Sequence, residues 1–349
     1  MQVSFVFRRA AIATILLVAL AAQSASAAVT WKVQVWGPRR ASLVPFEWYT
    51  QQVEARTNGA IHFDLAYDKG KVTDAMTLLH SGEADATFVC TQFFAEKMRL
   101  LTMLDLPMLS PESMNALGRV ELAVGDHPAV QAELRKSGIR MLFPTPLPQY
   151  QLMGTRRLTR MDDFRGARVR ISPEMGRVLG EYGAQVIKTS TAEAAGALKE
   201  GKLDLVALPY PYAFATYNVD DVSRYVTERI SLGSPLCYVA ASEKSWDALP
   251  AAVKQAMTEL RAPAMDRYDD TYAADDAKTI DRFKSKGLQF VDFSAADRTR
   301  LVAKSIKIWN AWIEDREKDG LPGRELFIFT QRKIREIAAT GTRSGASPK

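Results

Sequence analysis

Six arginines crowd residues 156–170 of this 349-residue chain, RRLTRMDDFRGARVR, against two acids, Asp162 and Asp163. Arg156, Arg157, Arg160 and Arg165 read as solvated loop charge. Arg168 and Arg170 read differently. They alternate with Ala167, Val169 and Ile171, the period of a half-buried strand, so both arginines share one face. A guanidinium there is costly unless it meets an anion. Its planar fork matches a carboxylate bidentately. The chemistry this predicts is recognition of an acid.

Signs of conversion are sparse. There is no G-x-S-x-G, P-loop or G-x-G-x-x-G. His62, His80 and His127 stand far apart, without partners at metal spacing, so no metal or cofactor is expected. Asp269, Asp270, Asp275 and Asp276 fall within an expected helix and read as a solvated face. An exported hydrolase or lyase would need Asp204 or Glu193 as its base. Glu193, three residues after Ser190, is better explained by capping-box spacing.

The elements that position these residues follow from periodicity. Trp31, Val33 and Val35 alternate as a strand. A helix from Pro45 ends at Thr57-Asn58-Gly59. Residues 61–67 form a second strand, 72–81 a short helix, and 84–89 a buried strand ending at Cys90. A second α/β run begins near Tyr150, with strands over 150–154, 167–171, 184–187 and 203–208. Helices are expected over 173–182 and 190–200. This order implies mainly parallel sheets with helices on their faces. Residues 250–286 read as one long helix. Further helices follow Ser294 and cover 325–339. No Pro-, Gly- or Ser-rich linker separates two halves, which predicts domains interwoven by several crossings.

Composition fits this picture. The chain is 47% hydrophobic and 25% charged, so disordered and fibrous classes are excluded. A formal charge of +6 is far too small for a nucleic-acid coat, and no nucleic-acid partner is expected. Arg8-Arg9, the apolar run over 10–22 and Ala25-Ser26-Ala27 make a secretory signal peptide cut after Ala27. The run is shorter than the ~20 residues of a membrane span. General export is favoured over the twin-arginine route, because Phe7 and Ala10 flank the arginine pair poorly. The chain is thus expected in the periplasm. Cys90 and Cys237 could pair there, but their spacing says nothing about distance. They are read as two buried free thiols in separate strands.

On these residues the chain resembles the DctP-like solute receptors of TRAP transporters. DFRGARVRIS at 163–172 is similar to the family's D-L-K-G-L-K-I-R-V-P. TNG at 57–59 before an alternating strand, LDLP at 104–107, EAAGALKEGKLD at 193–204 and SWDALP at 245–250 match further segments in order. The resemblance covers roughly residues 30–330. It implies an α/β, two-domain periplasmic-binding-protein clamshell with a long hinge-spanning helix at 250–286. The expected division is signal peptide 1–27, domain I 28–148 plus 234–273, and domain II 149–233 plus 274–297. C-terminal helices occupy 298–340 and a disordered tail 341–349. It also implies a monomeric receptor, without catalysis, that delivers a small organic acid to the small and large membrane subunits of a permease. Arg170 then clamps the ligand carboxylate.

Departures from the family pattern bear on the ligand. Leu208 replaces a ligand-contacting Asn. Gln149 or Tyr150 stands where a second Arg is common. Cys90-Thr91-Gln92 ends the third strand, and Thr191 takes a position that is often aromatic. Trp36 follows the first strand, and Tyr210, Tyr212 and Phe214 follow Pro209. The expected contact set is Arg170, Trp36, Cys90, Thr91, Gln92, Tyr150, Arg168, Thr191, Leu208, Tyr210 and Tyr212. Polar contacts are lost and aromatic ones are available, so an apolar or aromatic monocarboxylate is expected. A clamshell receptor serving an ABC transporter or a sensor kinase is the alternative.

Overall fold

The computed structural model describes residues 28–344, so the expected signal peptide at 1–27 lies outside the described residues. The strands are β1 (Val29–Gln34), β2 (Ile61–Ala66), β3 (Ala86–Cys90), β4 (Ile139–Pro144), β5 (Tyr150–Gly154) and β6 (Arg168–Arg170). They continue as β7 (Gln185–Val186), β8 (Leu205–Pro209), β9 (Tyr225–Glu228), β10 (Cys237–Ser242) and β11 (Gln289–Asp292). One sheet has the order β2-β1-β3-β10-β4 and the other β11-β9-β5-β8-β6-β7.

Each sheet contains a parallel set built by β-α-β connections. In sheet one, β1 runs parallel to β2 and β3. In sheet two, β6 runs parallel to β7 and β8. The helix Val44–Arg56 shows how local sequence makes such a unit. Pro45 opens it, and Asn58 and Gly59 turn left-handed after it, at φ 50° and 75°. Its Phe46 and Tyr49 pack on Phe143 of β4, with ring centroids 5.3 and 4.8 Å away.

The chain changes sheets three times: between β4 and β5, between β9 and β10, and between β10 and β11, the last by way of helices that end in Tyr268–Ser285. The first two crossings bind each other. Tyr150 N donates to Gly233 O (2.8 Å), Leu232 N to Tyr150 O (3.1 Å) and Thr145 N to Cys237 O (2.9 Å). Ser234 Oγ donates to Leu147 O (2.7 Å). Beside them lies Asp105, which accepts from Leu236 N (2.7 Å) and Thr91 Oγ1 (2.6 Å).

Three expectations need correction. Cys90 and Cys237 are not free thiols but a disulfide. β10 inserts antiparallel beside β3 and sets the two residues directly opposite, with Cα atoms 4.0 Å apart. Residues 250–286 do not form one helix but Ala251–Glu259, Arg261–Met265 and Tyr268–Ser285. Pro263 has no N–H to return to Glu259 O, which interrupts the ladder between the first two of these helices. The expected tail at 341–349 is helical as far as residue 344, because the last helix spans Gly323–Ser344. A lone glycine such as Gly341 lowers helix stability by about 1 kcal/mol but does not by itself end a helix.

Burial pushes the Asp105 carboxyl up to about 7, against its bonds from Thr91 and Leu236, and Glu174 pushes the same way. A carboxyl raised in this manner contributes stability below its unfolded value, near pH 4. That contribution is lost as pH rises through about 7. Glu121, also buried and raised, acts in the same direction. Asp105→Asn keeps an acceptor for Leu236 N and a partner for Thr91. It is expected to be more stable than the parent above pH 7, on the order of 1–3 kcal/mol, with the gain shrinking toward pH 4. Calorimetric melts across pH 4–8 check this; a pH-independent difference contradicts it.

Candidate functional site

Parallel strands deliver their C-terminal ends to one edge of a sheet, where α/β proteins bind ligands. Here both sheets open onto the same cavity, of about 320 Å³. From sheet one come Trp36 just beyond β1, and Phe88, Cys90, Gln92 and Phe93 at the end of β3. From sheet two come Tyr150 at the start of β5, Leu208 and Pro209 at the end of β8, and Thr191 after β7. Tyr212 and Tyr217 add further rings. The volume is at the low end of the ~300–1,000 Å³ of ligand clefts, which suits a single-ring molecule.

Arg170 stands behind this lining, only 4% exposed. Its Nη2 donates to Thr191 Oγ1 (2.7 Å), Nη1 to Ala207 O (3.1 Å) and Nε to Thr189 O (3.4 Å). Thr191 and Tyr150 connect it to the cavity. Burial pushes the Tyr150 hydroxyl up to about 12, while the adjacent Arg170 charge pulls it down. Among the described residues no carboxylate lies within ion-pair distance of Arg170. A buried guanidinium answered only by neutral oxygens retains most of its attraction for an anion.

The structure brings Trp36, Cys90, Gln92, Tyr150, Thr191, Leu208 and Tyr212 into the lining. Of Gln149 and Tyr150, the latter faces the cavity; Gln149 donates to Pro111 O (2.8 Å). Three expected contacts are placed elsewhere. Thr91 is consumed by Asp105. Tyr210 Oη donates to Glu228 (3.2 Å) and lines a separate depression with Gln149 and Asp276. Arg168 lies against Asp204, with Nη2–Oδ1 at 2.6 Å, and Nη1 donates to Gly201 O. Its anion is thus internal, and the two arginines of β6 have separate partners.

That pairing holds the Asp204 carboxyl below the usual carboxylate range, with the Arg168 hydrogen bond as the main cause. Glu193 is held low too, by the Ser190 hydroxyl (2.7 Å) and backbone N–H (3.2 Å). Both carboxylates weighed as bases are therefore engaged outside the lining. Asp269, expected as a solvated charge, accepts from Ser113 Oγ (2.9 Å) and Met114 N (2.7 Å) and fixes the start of the helix Met114–Gly125.

Sequence reasoning missed Phe88, Phe93, Tyr217 and Arg40. Phe88 carried a usable signal, as an aromatic two residues before the end of a buried strand. Arg40 carried none, since Arg39 beside it is identical in type and pairs with Glu47 through Nε–Oε1 (2.7 Å) and Nη2–Oε2 (2.6 Å).

Comparison with known proteins gives a consistent result. A sequence model of bacterial extracellular solute-binding proteins, family 7 (DctP), matches residues 34–315. A search of curated proteins finds no match. Among solved structures, a TRAP solute-binding protein from Rhodoferax ferrireducens T118, in complex with copurified benzoate, superposes with TM-score 0.79. It is 17% identical, over 90% of this chain and 99% of that one. A marine metagenome TRAP solute-binding protein specific for aromatic acid ligands, from an unidentified microbe, was co-crystallised with 3-hydroxybenzoate. It superposes with TM-score 0.78 at 16% identity, over 89% and 99% of the two chains. A Bordetella bronchiseptica TRAP solute-binding protein with bound (R)- and (S)-mandelate gives TM-score 0.77 at 17% identity, over 88% and 99%.

The disulfide is both a cross-link between sequence-distant strands and part of the cavity wall. Replacing both cysteines with alanine removes a covalent closure across a separation of 147 residues. Urea denaturation is expected to show a loss of about 2–5 kcal/mol. An unchanged midpoint and slope would contradict this.

Proposed function

Since the chain belongs to the DctP family of bacterial extracellular solute-binding proteins, we propose that it is the receptor of a TRAP transporter for an apolar or aromatic monocarboxylate. The observation that carries this reading is Arg170: a buried guanidinium without a carboxylate partner among the described residues, behind a small cavity lined mainly by rings and aliphatic side chains. The carboxylate engages Arg170 on the sheet-two side. Trp36, Phe88, Leu208 and Tyr212 supply apolar contact area. Leu208 and Tyr150, where the family often carries Asn and Arg, leave little to hold a second carboxylate or a hydroxyl-rich chain on that side.

Residues 1–27 act as the export signal, and the body works in the periplasm as a monomer without catalysis. Its domains are residues 28–148 plus 234–273 and 149–233 plus 274–297, with the helices of 298–340 packed on the body. The paired crossings form the hinge. Closure brings the rings of sheet one onto an acid held by sheet two. Delivery is to the small and large membrane subunits of the permease. The benzoate, 3-hydroxybenzoate and mandelate of the similar structures are single-ring monocarboxylates, of a size and chemistry that suit the cavity.

Screening organic acids by thermal shift identifies the ligand class, because a true ligand at 100 times its Kd adds about 2.7 kcal/mol of stability. Arg170→Ala is then expected to weaken the best acid about a hundredfold or more by calorimetry, while a cooperative melt persists. Unchanged affinity in that variant overturns the reading.

A further inference from the structure

Arg40 enters the same cavity from sheet one, and it lies 8% exposed. Its guanidinium carbon sits 4.6 Å from the ring centroids of both Trp36 and Phe88, in the corner made by two rings whose own centroids are 5.4 Å apart. Nη1 donates to Trp36 O (3.0 Å) and Pro38 O (2.9 Å). Gly37, at φ 71°, makes the turn that aims both carbonyls at it; a Cβ there would lie 3.3 Å from Nη1. Nη2 is buried and has no hydrogen-bond partner among the described residues. Among the described residues no carboxylate lies within ion-pair distance of Arg40.

This is a costly arrangement for the protein alone. A buried donor without an acceptor carries its full desolvation penalty. The ring faces and two carbonyls offset the charge in part, but they leave one –NH2 unanswered. The neighbouring Arg39, by contrast, has a bidentate carboxylate in Glu47. Arg40 is positioned on three sides and lacks a partner on the fourth.

Resting on the aromatic-acid reading above, we infer that Arg40 is a specificity-determining residue that reads a second oxygen of the ligand. The carboxylate meets Arg170 from sheet two. A further oxygen acceptor on the ligand meets Arg40 from sheet one: a ring hydroxyl, which keeps the ligand a monocarboxylate, or a second carboxylate, which would replace that part of the reading above. The ligand is then an oxygen-substituted aromatic acid rather than a plain one. Its two ends contact different sheets, so binding the second oxygen also favours the closed cleft.

Calorimetry of the purified protein with benzoate, the three hydroxybenzoates and the three benzenedicarboxylates tests this. At least one substituted acid is expected to bind about tenfold or more tighter than benzoate. The hydroxyl and dicarboxylate arms tell a neutral acceptor from a charged one. Arg40→Met keeps the stem against the two rings and removes the donors. It is expected to weaken that acid about tenfold or more, but benzoate less than threefold. Arg40→Lys, which keeps stem and charge, is expected to retain part of the preference and serves if Arg40→Met does not melt cooperatively. Equal losses for both acids, no loss for either, or a parent that prefers benzoate to every substituted acid overturns the inference. A parent that binds none of the probes overturns the aromatic-acid reading itself, and this inference with it.

Discussion

Arg170 carries a full positive charge inside the protein and is answered there by neutral oxygens: two carbonyls, the Thr191 hydroxyl and the adjacent Tyr150 hydroxyl. Much of the surrounding architecture makes that state possible. β6 must lie between β7 and β8, so that Ala207 O reaches one nitrogen and the segment after β7 brings Thr189 O and Thr191 Oγ1 to the others. Val169 and Ile171 anchor the opposite face in the core. Asp204 is kept off the Arg170 side by Arg168, which engages it with a charge of its own. A strand with two arginines thus separates a cation that has an internal counter-ion from one that, among the described residues, has none.

The second constraint is the pair of crossings. Two of the three segments linking the sheets are hydrogen-bonded to each other as one ribbon rather than lying apart, and the third runs through the helix Tyr268–Ser285. Asp105 ties that ribbon to Thr91, one residue beyond the disulfide. The cavity wall and the crossing region therefore share covalent and hydrogen-bonded parts.

How far the sequence could be read depended on whether the physics was local. β1, β2, β5 and β8 were legible because alternation and buried apolar runs are local signals, and the ends of helices were marked by Asn58, Gly59 and Ser294. Arg170 was legible for the same reason: a charge inside an apolar alternation is conspicuous. The disulfide was not, because the register of β3 against β10 is set by the packing of a whole sheet. The break near Pro263 was legible in principle, since the missing N–H is a property of the residue. Arg40 lay in an irregular turn where no periodicity applies. Only the three-dimensional neighbours distinguish it from Arg39, which has Glu47 while Arg40 has two rings.

The place of β10 has one more consequence. It stands between β3 and β4, yet it follows β5 to β9 in the chain. Among the described residues β4 has no other strand partner. A polypeptide made from its N-terminus therefore reaches the end of β4 with that strand unpaired, and with Cys90 still a thiol. Both wait until residues 237–242 arrive, by which time most of sheet two has been made. The first 144 residues contain nearly all of sheet one but lack the strand that joins it. The strands of sheet two all fall within residues 150–292, but sheet one draws on both sides of β5 to β9, so no contiguous fragment that omits sheet two can complete it.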